Sequence, residues 1–254
     1  SIYDRPFKEL DVLALTELTY LPFGHIVPQG DTTGIPVRLS DAMELIDRTT
    51  DFIVSNQHLQ LVDDLATSKH FKNIKLLNYV DEYDPDVQKQ FAAMTYRLSL
   101  DTYLVVFRGT DDTLIGWKED FHMTYMDHVP AQKRAASYLQ HVMKEFPKGR
   151  FLVAGHSKGG NLATYACSYL PDSLFERVDA IYSYDAPGLN KAIIETEGYQ
   201  RTSPNIRRFV PQGSIVGMML EVPEPTTIVK SHAFGGFAQH DAFTWEIKDY
   251  SFVT

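Results

Sequence analysis

Cysteine is almost absent: Cys167 is the one example in 254 residues, so no internal disulfide can form. That fits a reducing compartment. No apolar run approaches the ~20 residues that span a bilayer. The N-terminal stretch SIYDRPFKEL carries charge from its start and has no signal-peptide core. The expectation is a cytoplasmic chain with no stable membrane insertion. Positive charge is in deficit, with 24 Lys and Arg against 33 Asp and Glu, a net charge of -9. This argues against nucleic acid and against an anionic membrane surface as main partners. There is no H-E-x-x-H and no cysteine pair to hold a metal. The glycines at 155–160 do not make the dinucleotide fingerprint G-x-G-x-x-G, so no cofactor is implied. Internal repeats, low-complexity tracts and a convincing linker are also missing. The chain reads as one domain, 1–254, with a helical flank at 1–72 and a core at 73–254.

What is present is an ordinary globular composition, 44% hydrophobic and 22% charged. A chain of this length buries most of the surface its unfolded form exposes, without a metal or disulfide staple. KELDVLALTELTYL (8–21) places leucines near helical spacing. SDAMELIDRTTDFIVS reads as a second helix, with Asp41 and Glu44 in the pattern of a capping box. LQLVDDLATSKHF reads as a third. The period then changes. The stretches 73–84, 91–98, 102–109, 151–155, 177–185, 206–210, 226–231 and 243–247 read as strands. Between them, LIGWKEDFHMTYM, AQKRAASYLQHVMKEF, NLATYACSYL and NKAIIETEGY read as helices. Strands alternating with helices predict an α/β fold with a mostly parallel central sheet flanked by helices.

FLVAGHSKGGNLATYA (151–166) puts one serine in G-x-S-x-G, between a buried strand and a helix. That context defines a nucleophile elbow. A sharp turn holds the serine, glycines remove clashes between strand and helix, and the Ser157 hydroxyl is expected to stand exposed at the sheet's edge. The backbone N–H of Lys158 begins the helix, where the dipole favours negative charge, and can stabilise an oxyanion.

A serine needs a base oriented by a third group. In this fold the chain order is serine, acid, histidine. His232 and His240 are the histidines that follow Ser157. His240, in the loop FAQHDAFTW, is favoured because its loop gives it reach. His156, beside the serine, reads as structural. For the acid, Asp185 ends the strand AIYSYD, at a carboxyl end where sites form in open α/β sheets. The loop after the next strand, FVPQGSIVG, has no carboxylate, only Gln212 and Ser214. Asp241 adjoins His240 and Asp179 lies in or before a strand. Asp185 is the choice. Thr110, after the strand YLVVF, is the candidate for the second oxyanion N–H. Apolar residues at 117–126 and Met218, Met219 and Leu220 are candidates for an acyl groove, although large apolar residues are mostly core.

VVFRGTDDTLIGWKEDF followed by VAGHSKGGNLATYA resembles the class 3 lipases of the α/β-hydrolase superfamily. YDAPGLN, FVPQGSIVGMMLE and QHDAFTW are similar to stretches of a bacterial lipase-like branch of unknown function. The resemblance covers about the last two-thirds of the chain. It implies an α/β-hydrolase fold and a serine hydrolase. Its nucleophile is Ser157, its base His240, and its oxyanion donors Thr110 and Lys158. A lid is implied in LIGWKEDFHMTYM. Class 3 lipases usually carry the acid after the strand that here reads IRRFV. Asp185 instead matches the placement in pancreatic-type lipases, one strand earlier. The expected activity is hydrolysis of a small-molecule or lipid carboxylic ester, with no cofactor. The alternatives are thioester or phospholipid deacylation by the same triad, and a binding protein that keeps the fold without a working triad.

Overall fold

The computed structural model describes residues 5–30, 34–51, 53–84, 86, 89–109, 129–220 and 222–254. Within them the chain begins with helix α1 (Glu9–Leu18), a short strand β1 (Val37–Arg38) and helices α2 (Leu39–Leu45) and α3 (Asn56–Thr67). Three strands follow: β2 (Lys75–Asp84), β3 (Lys89–Arg97) and β4 (Thr102–Phe107). Helix α4 (Val129–Glu145) then leads to β5 (Arg150–His156), α5 (Lys158–Ser168), α6 (Asp172–Phe175) and β6 (Val178–Tyr184). The chain finishes with α7 (Lys191–Ile194), α8 (Glu197–Thr202), β7 (Ile206–Pro211), β8 (Thr226–Val229) and the hairpin of β9 (Ile247–Lys248) and β10 (Ser251–Phe252).

Among the described residues one sheet runs in the order β1 to β8. Strands β1 to β4 pair antiparallel, and β4 to β8 pair parallel. This is the α/β-hydrolase fold, a mostly parallel sheet flanked by helices. Side-chain alternation on β4 explains its burial on both faces. Tyr103, Val105 and Phe107 join an apolar layer with α4 and α5, through Tyr138, Leu139, Val142 and Leu162. Leu104 and Val106 face the opposite layer, with Val12, Leu15 and Leu18 of α1. On α4 the buried residues Ala131, Ala135, Tyr138, Leu139 and Val142 recur at helical spacing. Each of the larger ones, such as Leu139 and Val142, contributes about 1.5–3 kcal/mol by its burial. The N-terminal helices thus share a core with the parallel strands instead of standing apart from them.

Several expected elements are shorter, for local reasons. The second helix stops at Leu45, and Arg38, not Asp41, stands at its N-cap with no side-chain hydrogen bond. Beyond it the Asp47 carboxylate accepts from Thr49 N at 2.9 Å, and the Asp51 carboxylate accepts from Ile53 N and Val54 N at 2.7 Å. Those turns compete with helix. NKAIIETEGY splits in two because Thr196 caps a new helix through Tyr199 N. FTWEI is not a strand through its length. The Asp241 carboxylate accepts from Phe243 N at 3.0 Å and starts a 3-10 turn at Ala242–Thr244. The expected helix LIGWKEDFHMTYM lies outside the described residues. No described helix is long and apolar enough to cross a membrane.

Candidate active site

The carboxyl ends of β4 to β7, and the loop after β8, meet at one edge of the sheet. Each contributes a residue there. The turn from β5 to α5 carries Ser157 at φ 61°, ψ -135°, a strained conformation for a residue with a side chain. Its N–H donates to Tyr184 O at 2.9 Å, and its carbonyl accepts from Gly160 N at 3.0 Å. The flanking glycines are required by space. A Cβ on Gly155 would fall inside the Gly159 backbone, and one on Gly159 would fall on the Phe107 carbonyl. The turn is therefore tight enough to press the start of α5 against the ends of β4 and β5.

Ser157 differs from expectation in one respect. Its side chain does not stand exposed: the residue is 3% accessible, and Oγ makes no hydrogen bond among the described residues, with His240 included. The close packing that permits the turn also encloses it. Gly109 lies nearby, where an added Cβ would come into ordinary contact with Ser157 Cβ at 3.4 Å. Hydroxyl–imidazole hydrogen bonds are often long in a site without substrate and tighten when it is bound.

Asp185 follows β6 with φ 44°, a left-handed position that Asp tolerates better than most residues. It is fully buried, and its N–H donates to Phe209 O at 2.7 Å. The carboxylate has three donors. His240 Nδ1 lies 2.6 Å from Oδ2, Gly217 N donates to Oδ1 at 3.0 Å, and Ser214 Oγ donates to Oδ1. The carboxylate side of the Nδ1 contact accepts, so the ring proton sits on Nδ1 and Nε2 is left as the acceptor. The loop after β7, where class 3 lipases usually carry the acid, here supplies two donors to Asp185. Arg208 ties that loop down by donating to Gly217 O and, at 3.3 Å, to Ala186 O.

His240 ends a 3-10 turn, Ala238–His240. The preceding Gln239 fixes it from both ends of its amide, accepting from Gly213 N at 2.7 Å and donating to Ala233 O at 3.0 Å. Trp245 Nε1 donates to Gln239 O at 2.8 Å. Burial and the neighbouring His156 cation push the His240 ring below the ordinary histidine value, against the upward pull of Asp185. His232 takes a different place: its N–H donates to Thr244 O at 3.0 Å, next to the Ser231–Trp245 bridge. Asp241 turns to its own helix start, and Asp179 pairs with Arg150 at the opposite end of β6. Lys158 is the first residue of α5 and is buried. Thr110 lies outside the described residues, as do the groove candidates at 117–126. Met218 is largely exposed beside Gly217.

Four further residues pack against this group, of which Glu17 and Tyr20 are not among the candidates named from the sequence. His156, read from the sequence as structural, contacts the His240 segment: Nε2 lies 2.8 Å from His240 O, and its ring stacks on the His240 ring with centroids 4.6 Å apart. Glu17 of α1 lies 3.2 Å from His156 Nδ1. Tyr20, just beyond α1, accepts from Gly109 N at 3.1 Å. Ser214 was visible only as a polar residue in a loop without a carboxylate. For Glu17 the available signal was an acidic residue inside the apolar run LALTELTYL.

Residues 65–254 match the family described as Mbeg1-like. No curated protein sequence matches the chain. Among solved structures, a mutant of MDLA from Penicillium cyclopium superimposes with a TM-score of 0.56 at 14% identity, over 97% of this chain and 88% of that one. A structure described as fungal lipases gives a TM-score of 0.55 at 12% identity, over 89% of this chain and 81% of that one. At such identities the likeness establishes the fold.

Proposed function

Since the chain belongs to the Mbeg1-like family and shares the fold of the fungal lipases, we propose that it is a lipase-like serine hydrolase of carboxylic esters. The observation that carries this reading is the 2.6 Å contact of His240 Nδ1 with Asp185, made at the sheet edge that also bears the Ser157 turn. In the proposed reaction His240 Nε2 takes the proton of Ser157 as Oγ attacks the ester carbonyl. Asp185 holds the ring tautomer and stabilises the imidazolium. The N–H groups of Lys158 and Thr110 receive the oxyanion. His240 then gives its proton to the leaving alcohol, and water repeats the cycle on the acyl-enzyme. Each oxyanion donor lowers the barrier by about 3 kcal/mol. An ester with an apolar acyl chain is the substrate class proposed. Thioester or phospholipid substrates use the same groups, and a substrate series separates them.

The test is labelling with a fluorophosphonate probe. Wild-type protein is expected to react at Ser157, and Ser157→Ala to abolish labelling. The buried, unbonded Ser157 hydroxyl favours one other reading, a binding protein that keeps the fold without catalysis. A folded wild type that resists the probe would refute the hydrolase reading.

A further inference from the structure

We propose that Glu17 and His156 are positioning residues for the base: Glu17 holds His156, and His156 holds the His240 segment by its backbone carbonyl and by a stacked ring. This rests on the reading of His240 as the base.

Three observations carry it. First, both nitrogens of His156 face acceptors. Nε2 lies 2.8 Å from His240 O, and a carbonyl only accepts, so Nε2 bears a proton. Nδ1 lies 3.2 Å from Glu17 Oε1, and an ionised carboxylate also only accepts. The Nδ1 contact is an ion pair by distance rather than a hydrogen bond, since Glu17 Oε1 makes none among the described residues, and the carboxylate charge at that range favours the imidazolium. Second, Glu17 is itself fixed. Its other oxygen, Oε2, lies 3.2 Å from His58 Nε2, and His58 Nδ1 accepts from Ser55 N at 3.1 Å. Third, the rings of His156 and His240 lie nearly parallel, at 27°, with centroids 4.6 Å apart. A cation stacked on a second ring disfavours a second cation there. His240 is thereby kept neutral, as a base must be, further into acid than a free histidine.

The charged and titratable groups around His156 come from several elements. Glu17 is on α1 and Tyr20 just past it, and His58 stands behind Glu17 on α3. Asp185 follows β6, and His240 belongs to the C-terminal segment. Burial pushes the His156 imidazole down, but Glu17, with help from Asp185 and the His240 carbonyl, lifts it above the ordinary histidine value. Burial likewise pushes Glu17 up, and His156 and His58 override it, leaving the carboxyl well below the ordinary value. Glu17 precedes the family match at 65–254, so a segment outside that match would reach the chemistry.

Glu17→Gln keeps the side-chain shape and removes the charge. Without Glu17 the His156 ring loses its proton more readily, and His240 loses the repulsion that held its own affinity for protons down. The acid limb of the pH–labelling profile is expected to move up by about half to one unit. A purely structural role would slow labelling or lower stability without moving that limb. If Glu17→Gln does not fold, His156→Gln, which keeps a neutral donor toward His240 O, is expected to shift the limb the same way. Independently of activity, nitrogen NMR of the histidine rings in wild type should show His156 cationic over a range where His240 is neutral. A folded Glu17→Gln protein with an unmoved limb, or a wild type in which His156 is neutral alongside neutral His240, overturns the proposal. If wild type fails to label, the hydrolase reading falls, and the ring titrations alone decide whether the dyad exists.

Discussion

Gly217→Ala tests the support beneath Asp185. Gly217 stands in the 3-10 turn Val216–Met218, so alanine is compatible with its backbone. The conflict is one of space. An added Cβ would sit 2.5 Å from Asp185 Oδ1, 2.8 Å from Val210 Cγ1 and 3.0 Å from Val210 Cγ2. Ordinary carbon–oxygen contact requires the carboxylate to retreat by about 1 Å. It is gripped by His240, Ser214 and Gly217 N, so retreat stretches all three bonds. A misplacement of this size in a catalytic group costs about 100-fold in rate, or ~2.7 kcal/mol of barrier. Overpacking costs about 1–3 kcal/mol of stability, and lowers Tm by about 2–10 °C. The assay is the second-order rate of fluorophosphonate labelling, measured beside a thermal melt and well below the variant's Tm. A variant that loses stability by this amount yet labels at the wild-type rate would refute the argument, because Asp185 would then not need the place the structure gives it.

The remaining predictions address the site's other supports. Asp185→Asn should lower turnover about ten-thousand-fold by favouring the wrong tautomer of His240, whereas Asp241→Asn, whose carboxylate caps Phe243 N, should leave turnover near wild type; the ranking is read from ester hydrolysis by each variant. Tyr20→Phe removes the acceptor of Gly109 N. It should cost about 1–3 kcal/mol, seen as slower labelling with a drop in Tm, because the loop leading to Thr110 loses its anchor. The Glu17–His156 pair also sets a pH dependence of stability. His156 has a folded value above its ordinary 6.5, so its contribution is full below that value and is lost as pH rises through the folded one. Glu17 has a folded value below its ordinary 4.5, so its contribution is present above that value and is lost as pH falls. Denaturant melts should therefore show the largest gap between wild type and Glu17→Gln between pH 4.5 and 6.5, closing as pH falls through the folded value of Glu17 and as it rises through that of His156.

The parallel half of the fold was legible because its signals are local. An apolar run between turn residues marks β5, and G-H-S-K-G marks the bend after it, since glycine is demanded there by neighbours only a few residues away. The placement of Asp185 was legible for a similar reason: a strand end is readable, and sites gather at strand ends. What was not legible is what holds these groups. Glu17 and His156 are 139 positions apart in sequence, and although the apolar run around Glu17 marks it as unusual, nothing within α1 names its partner. In the sequence Ser214 is only a polar residue in a loop that has no carboxylate. The geometry gives the loop another task. On the proposed assignment of Asp185 as the acid, the loop after β7 supplies donors to the carboxylate instead of the carboxylate itself. That coupling makes Asp185 and Ser214 a single unit. Moving the acid to the β7 loop by Ser214→Asp alone would set two carboxylates against one imidazole and one N–H, and is expected to lower labelling, while Ser214→Asp combined with Asp185→Ser exchanges donor and acceptor and should recover part of the loss. Equal rates for the single and the double exchange would show that the two positions act independently.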